Sequence, residues 1–172
     1  MSAGGYHSCV IETHRDVECW GRNEFGQAAP APGAFASVST GTFATCGLRP
    51  DGDVLCWGRF NEAQGRSGHF KSVSVGGTVA CGVRTDHHVA CWGNNEFGQA
   101  SPPSDLFESV SAGWYHACGV RTDDQVVCWG DDFDGQASPP AGAFRSVSAG
   151  SDHTCGLRMN DQVACWGSNA DG

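Results

Sequence analysis

The sequence predicts an all-β protein built from five copies of one short repeat, each closed by its own disulfide. Its 10 cysteines fall into five Cys-x9-Cys pairs, each followed by Trp-Gly, and the pairs recur after 37, 35, 37 and 37 residues. The pairs are Cys9–Cys19, Cys46–Cys56, Cys81–Cys91, Cys118–Cys128 and Cys155–Cys165. Glycine is frequent, with 25 residues, and long apolar stretches are absent, which disfavours long helices and excludes a transmembrane span. A period of this length is typical of repeat proteins whose units stack on one another.

The even spacing of the cysteines, with none left over, indicates an oxidising compartment. Zinc binding is the alternative. Zinc sites usually place two cysteines about two to four residues apart, often with a histidine nearby, and the gaps in this chain do not fit that pattern. We therefore expect disulfides, no metal, and a secreted, periplasmic or other extracellular location. No signal peptide precedes the first repeat, because residues 1–4 already belong to it, so we expect a mature or excised segment with an added methionine.

The formal charge of −9 restricts the partners. An acidic surface repels phosphate backbones, so we expect no nucleic acid as a partner. Anionic membrane surfaces are disfavoured for the same reason, and we expect no membrane insertion.

The fourth repeat shows how one unit is organised. Residues 107–113, 117–121 and 125–129 are predicted strands, and residues 122–124 form the hairpin loop between the last two. If Cys118 faces Cys128, the loop has an ordinary hairpin length. Directly opposed residues of antiparallel strands are close enough for a disulfide, so each bridge staples two neighbouring strands and adds roughly 2–3 kcal/mol at most.

The two faces of this hairpin are both apolar. Cys118, Val120, Val126 and Cys128 share one face and Trp129 lies on the other, so both faces should be buried. A small sheet buried on both faces and copied several times is a propeller blade, and a β-solenoid is the main competitor. We predict a β-propeller of five short repeats with three- to four-stranded antiparallel blades, forming a single domain over residues 1–172. The repeats span approximately 2–38, 39–73, 74–110, 111–147 and 148–172.

The repeat resembles that of the regulator of chromosome condensation family. The family pattern appears as Val-Ser-Ala-Gly-x-x-His-Thr-Cys-Gly-Leu at residues 147–157 and as Cys-Trp-Gly-x-Asn-x-x-Gly-Gln at residues 91–99. The resemblance covers essentially the whole chain and implies a propeller, but the family includes a nucleotide exchange factor, a photoreceptor and a secreted bacterial β-lactamase inhibitor. The short repeats and the extracellular setting look most like the bacterial inhibitor group.

The number of repeats bears on how the ring closes. Family members usually have seven blades, and this chain has five copies. The chain can be a closed five-bladed ring, part of a longer array, or a unit that pairs with other copies through exposed edge strands. We favour the closed ring, and we expect its ends to be a weak point that drives self-association.

One rim of the propeller gathers two loops from every blade. The strand directions place the Gly-x-x-His turn and the Gly-Asn-x-x-Gly loop at the same end, and the x-x positions differ among repeats, as on a surface that presents variable residues to a partner. The residues predicted to bind are Tyr6, Phe43, Trp114, Tyr115 and Asp152 in the turns and Asn95, Phe97 and Asp132 in the loops. Packing against neighbouring blades is the alternative for the aromatic rings, above all for Phe43. The five Cys-Trp-Gly tryptophans are predicted to pack between blades.

The histidines give little support for an enzyme. His7, His116 and His153 share one repeat position, which is Ala44 and Val79 in the other two copies, and a histidine in a tight turn most often bonds the local backbone. The acidic loop at 131–135 lacks most of a calcium-binding ligand set. No nucleophile elbow, phosphate-binding loop or zinc-protease helix occurs.

These observations predict a non-enzymatic extracellular module without a cofactor, which binds a protein, peptide or glycan. The alternative is a structural protein that assembles through its incomplete end blades. A lyase or hydrolase with a site at the ring axis is the third hypothesis.

Overall fold

The computed structural model describes residues 1–59 and 66–170 and folds them into five three-stranded antiparallel sheets, here called blades 1 to 5 in chain order. Blade 1 contains β1 (Ser2–Ala3), β2 (His7–Ile11) and β3 (Val17–Gly21); blade 2 contains β4 (Ser37–Thr40), β5 (Ala44–Leu48) and β6 (Val54–Gly58); blade 3 contains β7 (Phe70–Val75), β8 (Val79–Arg84) and β9 (Val89–Gly93); blade 4 contains β10 (Phe107–Ala112), β11 (His116–Arg121) and β12 (Val126–Gly130); blade 5 contains β13 (Phe144–Ala149), β14 (His153–Arg158) and β15 (Val163–Gly167). In this described part of the chain, no helix is long and apolar enough to cross a membrane.

The hairpin between the second and third strand of each blade has the predicted register. In blade 4, Cys118 pairs with Cys128 and Val120 pairs with Val126. The loop is three residues long, and its last residue, Asp124, has a positive φ of 63°. A left-handed third residue is typical of three-residue hairpin loops, because it lets the chain turn back into the ladder.

All five predicted disulfides are present. Each joins residues that face each other on the second and third strand of one blade, with Cα atoms 4.0–4.1 Å apart. Such short Cα distances occur at the non-hydrogen-bonded pairs of an antiparallel ladder, where side chains approach most closely. The cysteine spacing therefore acts as a staple within each blade.

The blades pack face to face. The face of blade 3 that carries Val79 and Cys81 covers the face of blade 4 that carries Ala117 and Trp129. We call these two sides of a blade its cysteine face and its tryptophan face. The same contact joins blade 2 to blade 3, so the prediction that both faces of an inner blade are buried is confirmed.

In blades 2 to 5, a phenylalanine at or just before the start of the first strand packs against the tryptophan face. Phe107 is fully buried, with its ring centroid 5.7 Å from that of Trp129. A Cβ atom at Gly119 would lie 2.5 Å from the Phe107 ring, so glycine is required there for close approach. Phe35, Phe70 and Phe144 repeat this arrangement with Gly47, Gly82 and Gly156.

Short turns at the inner edge of the blades join each blade to the next around the axis. The N–H groups of Gly5, Thr42, Gly77 and Trp114 donate to the carbonyl oxygens of Gly41, Gly76, Gly113 and Gly150, at 3.1–3.3 Å. These turns come too close for larger residues: a Cβ at Gly76 would lie 1.8 Å from the Gly113 oxygen.

The ring does not close between blades 5 and 1, which corrects the closed ring favoured from the repeat count. Among the described residues, no axial hydrogen bond joins Ser151 to Gly4. Trp20, on the tryptophan face of blade 1, is 50% exposed, whereas the tryptophans of blades 2 to 4 are only 5–8% exposed. His153, on the cysteine face of blade 5, is exposed, whereas His116 is fully buried. The five blades therefore form an open arc with two uncovered end faces.

A candidate ligand-binding rim

Two chain segments of every blade meet on one rim of the arc, as the strand directions predict. The residue after the third strand donates its N–H to the carbonyl oxygen of the second x residue of the turn. The five pairs are Arg22–Tyr6, Arg59–Phe43, Asn94–Thr78, Asp131–Tyr115 and Ser168–Asp152, with N···O distances of 2.8–2.9 Å. This bond fixes the turn and the loop of each repeat side by side, so their side chains form one surface.

Six aromatic rings form a continuous track on this rim. The centroid distances are 5.7 Å for Phe25–Phe43, 6.0 Å for Tyr6–Phe43, 6.5 Å for Phe43–Trp114, 6.1 Å for Trp114–Tyr115 and 5.3 Å for Phe97–Tyr115. Tyr6, Phe25 and Phe97 are exposed, and the other three rings are half-buried. The track places five of the eight predicted binding residues in contact with one another.

Trp114 carries the track across blade 3. Its ring lies over Gly77, where a Cβ atom would come within 2.7 Å of the indole, and its carbonyl oxygen accepts a hydrogen bond from Thr78 Oγ1 at 2.7 Å. Because the turn of blade 3 is small, the Trp114 ring of blade 4 reaches Phe43 of blade 2. The turn of blade 3 thus contributes space rather than an aromatic ring, and the ring of this blade comes from Phe97 in its loop.

The inner turns of the blades line a cavity of about 230 Å³ beside Trp114. Its wall consists mainly of glycine, alanine and threonine from the turns of all five blades, together with Trp114. Among the described residues, no charged side chain lines this cavity. The groups able to bind a ligand on this rim are therefore the aromatic rings and the charged side chains beside them.

Two arginines lie against the rings of blades 1 and 2. The Arg59 guanidinium carbon lies 5.1 Å from the Phe25 centroid and 5.3 Å from the Phe43 centroid. Arg22 lies 5.3 Å from the Tyr6 centroid and also pairs with Glu24. Stacking fixes a guanidinium while leaving N–H groups at its edge for a ligand.

Carboxylates occupy the same rim at blades 4 and 5. Asp152 is exposed, and Asp131 holds its own loop by accepting a hydrogen bond from Gln136 Nε2 at 3.0 Å. Burial lowers the pKa of His116, while the negative charges of Asp152, Asp131 and Asp132 oppose this shift.

Asn95 and Asp132, two of the predicted binding residues, brace their loops. Asn95 Oδ1 accepts from the N–H of Ala100 at 2.9 Å, and Asp132 Oδ1 accepts from the N–H of Ala137 at 2.8 Å. Both side chains are exposed but lie outside the aromatic track. A role of either in binding stays a prediction.

The histidines differ from the expectation of local backbone bonding. His7 Nε2 lies 2.6 Å from Thr45 Oγ1, and His116 Nε2 lies 2.8 Å from Thr154 Oγ1, in each case on the next blade. Both threonine hydroxyls donate to a carbonyl oxygen, so each Nε2 must carry the hydrogen and donate. Burial lowers the pKa of His7 as it does that of His116, in agreement with a neutral ring. These side chains join blades and do not converge on the axis.

Sequence reasoning missed Phe25, the two arginines and the role of Gly77. Phe25 occupies the same repeat position as Phe97, so the repeat alignment could have identified it. Arg22 and Arg59 occupy equivalent positions directly after the third strand. Within residues 1–59 and 66–170, no group of three or more His, Cys, Asp or Glu side chains has the arrangement of a metal site.

Solved structures of receptor ectodomains are similar to this chain. The ectodomain of the receptor kinase CR4 from Physcomitrella patens shares 31% sequence identity, with a TM-score of 0.85, over 98% of this chain and 52% of that one. The CRINKLY WD40 ectodomain of the Arabidopsis thaliana receptor kinase ACR4 shares 26% identity, with a TM-score of 0.57, over 95% of this chain and 77% of that one.

A yeast protein shows the same fold at lower identity. Prp20p from Saccharomyces cerevisiae shares 17% identity, with a TM-score of 0.81, over 98% of this chain and 57% of that one. This chain thus spans about half the length of the moss and yeast structures. The Regulator of chromosome condensation (RCC1) repeat matches residues 1–27, 35–64, 70–99, 107–136 and 144–172. Because these five matches cover most of the sequence in the same phase as the blades, the chain belongs to the RCC1 repeat family.

Proposed function

We propose that this chain is a non-enzymatic extracellular binding module, and that its aromatic rim takes up a protein, peptide or glycan. The observation that carries the proposal is the six-ring track, which lies on the positions that vary among otherwise similar repeats. Aromatic rings with little conformational freedom are the usual anchors of binding surfaces.

The disulfides and the comparisons support the extracellular setting. Five disulfides persist in oxidising compartments, and two of the similar structures are ectodomains of receptor kinases. The yeast relative Prp20p is described with binding to Gsp1p and histones, so a protein partner has precedent on this fold. The closer likeness to bacterial inhibitors stays a prediction.

The test compares the protein with the double variant Trp114→Ala/Tyr115→Ala on a glycan array and in selection from a displayed random peptide library. We expect ligands that bind the protein and are lost by the variant, with a free energy of unfolding that changes by no more than about 2 kcal/mol, because both rings are half-buried. Trp20→Ala is the matched control, since it removes an exposed tryptophan that lies outside the aromatic track, on the uncovered face of blade 1. A variant that unfolds, or that keeps every ligand, refutes the proposal.

Self-association is a second candidate function, and the cysteine face of blade 5 favours it. Val163 is 68% exposed there, beside a groove of about 880 Å³ that is lined by His153 and both cysteines of the blade. The exposed face of blade 1 differs, because Glu18 stands where the other blades have an apolar residue. Burial of an unpaired carboxylate is costly, so two copies would pair blade 5 against blade 5 around a two-fold axis.

Sedimentation velocity over a range of protein concentrations tests this second candidate. We expect a dimer that Val163→Asp converts to a monomer, while Glu18→Gln leaves the dimer unchanged. A monomer at every concentration refutes it, and a dimer that survives Val163→Asp shows that another surface is used.

A further inference from the structure

The charge of the rim changes in order around the arc. The five backbone-bonded pairs, taken from blade 1 to blade 5, are Arg22–Tyr6, Arg59–Phe43, Asn94–Thr78, Asp131–Tyr115 and Ser168–Asp152. At these positions blades 1 and 2 carry arginine, blade 3 carries asparagine and threonine, and blades 4 and 5 carry aspartate. Since these are equivalent positions of one repeat, the backbone arrangement is the same in each blade and only the side chains differ. Two further carboxylates lie in the rim loops: Glu24 of blade 1, which pairs with Arg22, and the exposed Glu96 of blade 3.

At the positive end both arginines lie against aromatic rings, and Arg22 also pairs with Glu24 of its own loop. In blades 3 and 4, a buried glutamine of the loop donates to the residue after the third strand: Gln99 Nε2 to Asn94, and Gln136 Nε2 to Asp131. The equivalent Gln27 Nε2 of blade 1 is buried with no partner among the described residues, because an arginine at position 22 offers no acceptor. Arg22 instead lies over Tyr6.

At the negative end, only some of the carboxylates form hydrogen bonds within their own loop. Asp131 and Asp132 accept hydrogen bonds from their own loop. Asp134 and Asp152 are exposed, and neither carboxylate accepts a hydrogen bond from another described residue. These two acids are free to meet a cation of a ligand.

The aromatic track connects the two ends. Between Phe43, which contacts Arg59, and Tyr115 of blade 4, whose loop carries Asp134, there are two ring-to-ring steps of 6.5 and 6.1 Å. An extended peptide advances about 3.3 Å per residue, so this distance corresponds to roughly three or four residues.

We infer that the rim binds an extended peptide segment that carries an acidic residue and a basic residue with apolar or aromatic residues between them. This inference rests on the proposed function of the rim. A neutral glycan would leave both charged ends unused, and an acidic glycan would be repelled by blades 4 and 5. Only an amphoteric chain satisfies both ends together with the track, and a peptide is such a chain.

The experiment selects peptides from a displayed random library on the folded, disulfide-bonded protein and discards those that also bind Trp114→Ala/Tyr115→Ala. The selected peptides are then measured against Arg59→Glu and Asp152→Lys. Arg145→Glu and Asp123→Lys are the matched controls, because they make the same charge changes on exposed residues near the hairpin end of their blades, away from the rim.

We expect selected peptides to contain an acid and a base separated by roughly three or four residues. Reversal of either rim charge should weaken binding by about tenfold, and this effect should shrink at high salt. Peptides that depend on the two aromatic rings but show no paired charges, and bind the charge variants equally well, overturn the inference and leave the binding module intact. If no selected peptide depends on the rings, the inference is also overturned, and the glycan array alone decides the proposed function.

Discussion

Thr154→Ala removes the hydroxyl that accepts the hydrogen bond of His116 at the junction between blades 4 and 5. Both side chains are fully buried, and the Nδ1 atom of His116 already has no partner among the described residues. After the substitution, the Nε2–H group is buried without an acceptor. An orphaned buried donor costs about 1–3 kcal/mol, so we expect the free energy of unfolding to fall by about 2 kcal/mol.

The junction between blades 3 and 4 shows how the same position is built without polar groups. There Val79 stands in place of histidine and Ala117 in place of threonine, and both are fully buried. The double variant His116→Val/Thr154→Ala recreates this pair, so it should be no less stable than Thr154→Ala alone. His116→Val alone should cost about 1 kcal/mol, because the Thr154 hydroxyl still donates to the Gln136 carbonyl oxygen. The two substitutions should therefore be coupled by about 1–2 kcal/mol.

Equilibrium unfolding in urea measures the stability of the protein, the two single variants and the double variant, with the disulfides intact and tryptophan fluorescence as the signal. The pH is set about one unit above the ordinary pKa of a histidine, so that the ring is neutral in both the folded and the unfolded state. His153→Val is the control, since this histidine is exposed on the uncovered face of blade 5 and should change stability by less than about 0.5 kcal/mol. If the losses of stability from His116→Val and Thr154→Ala simply add in the double variant, the hydrogen bond between these residues does not couple the two blades, and this reasoning is wrong.

Three further perturbations test the packing of the blades. Burial lowers the pKa of His116 in the folded protein, so the unfolded chain binds a proton more readily. The free energy of unfolding should therefore be highest above about pH 6.5 and fall as the pH drops below that value. Thermal unfolding across a pH series measures this change. Gly119→Ala places a Cβ 2.5 Å from the Phe107 ring, so we expect a loss of about 1–3 kcal/mol in urea unfolding, and an unchanged midpoint would contradict the packing described. Trp129→Ala should cost about 3–5 kcal/mol because the ring is buried between blades, whereas Trp20→Ala at the open end should cost about 1 kcal/mol; equal losses would mean that the arc closes in solution.

The sequence was sufficient for each blade taken by itself. The spacing of Cys118 and Cys128 set the register of the hairpin, because opposed cysteines leave only one loop length, and alternation along the strands then assigned Trp129 to the opposite face. The variable turn positions also identified most of the aromatic track, although Phe25 was overlooked at a position where Phe97 had been recognised. The disulfide and the hairpin register depend on contacts between residues that are close together in the sequence.

Contacts between blades could not be inferred in this way. The bond from His116 to Thr154 links residues that are far apart in sequence, and nothing in either repeat alone shows that they face each other. The contact of Trp114 with Phe43 depends on the small turn at Gly77, which belongs to a third blade. Such contacts follow from the rotation between neighbouring blades, which the pattern of one repeat does not contain.

The amino-acid sequence by itself determined the repeat, the disulfides, the strand register and the end of the blades where variable residues gather, because each follows from local spacing and the two-residue period of a strand. Only the tertiary structure decided that five blades stop short of a closed ring and that histidine pairs with threonine across two of the junctions. It also decided that the rim unites aromatic rings with arginines near one end and aspartates near the other. The physical reason is that these properties depend on the angle and distance between blades, which are set by the packing of whole faces.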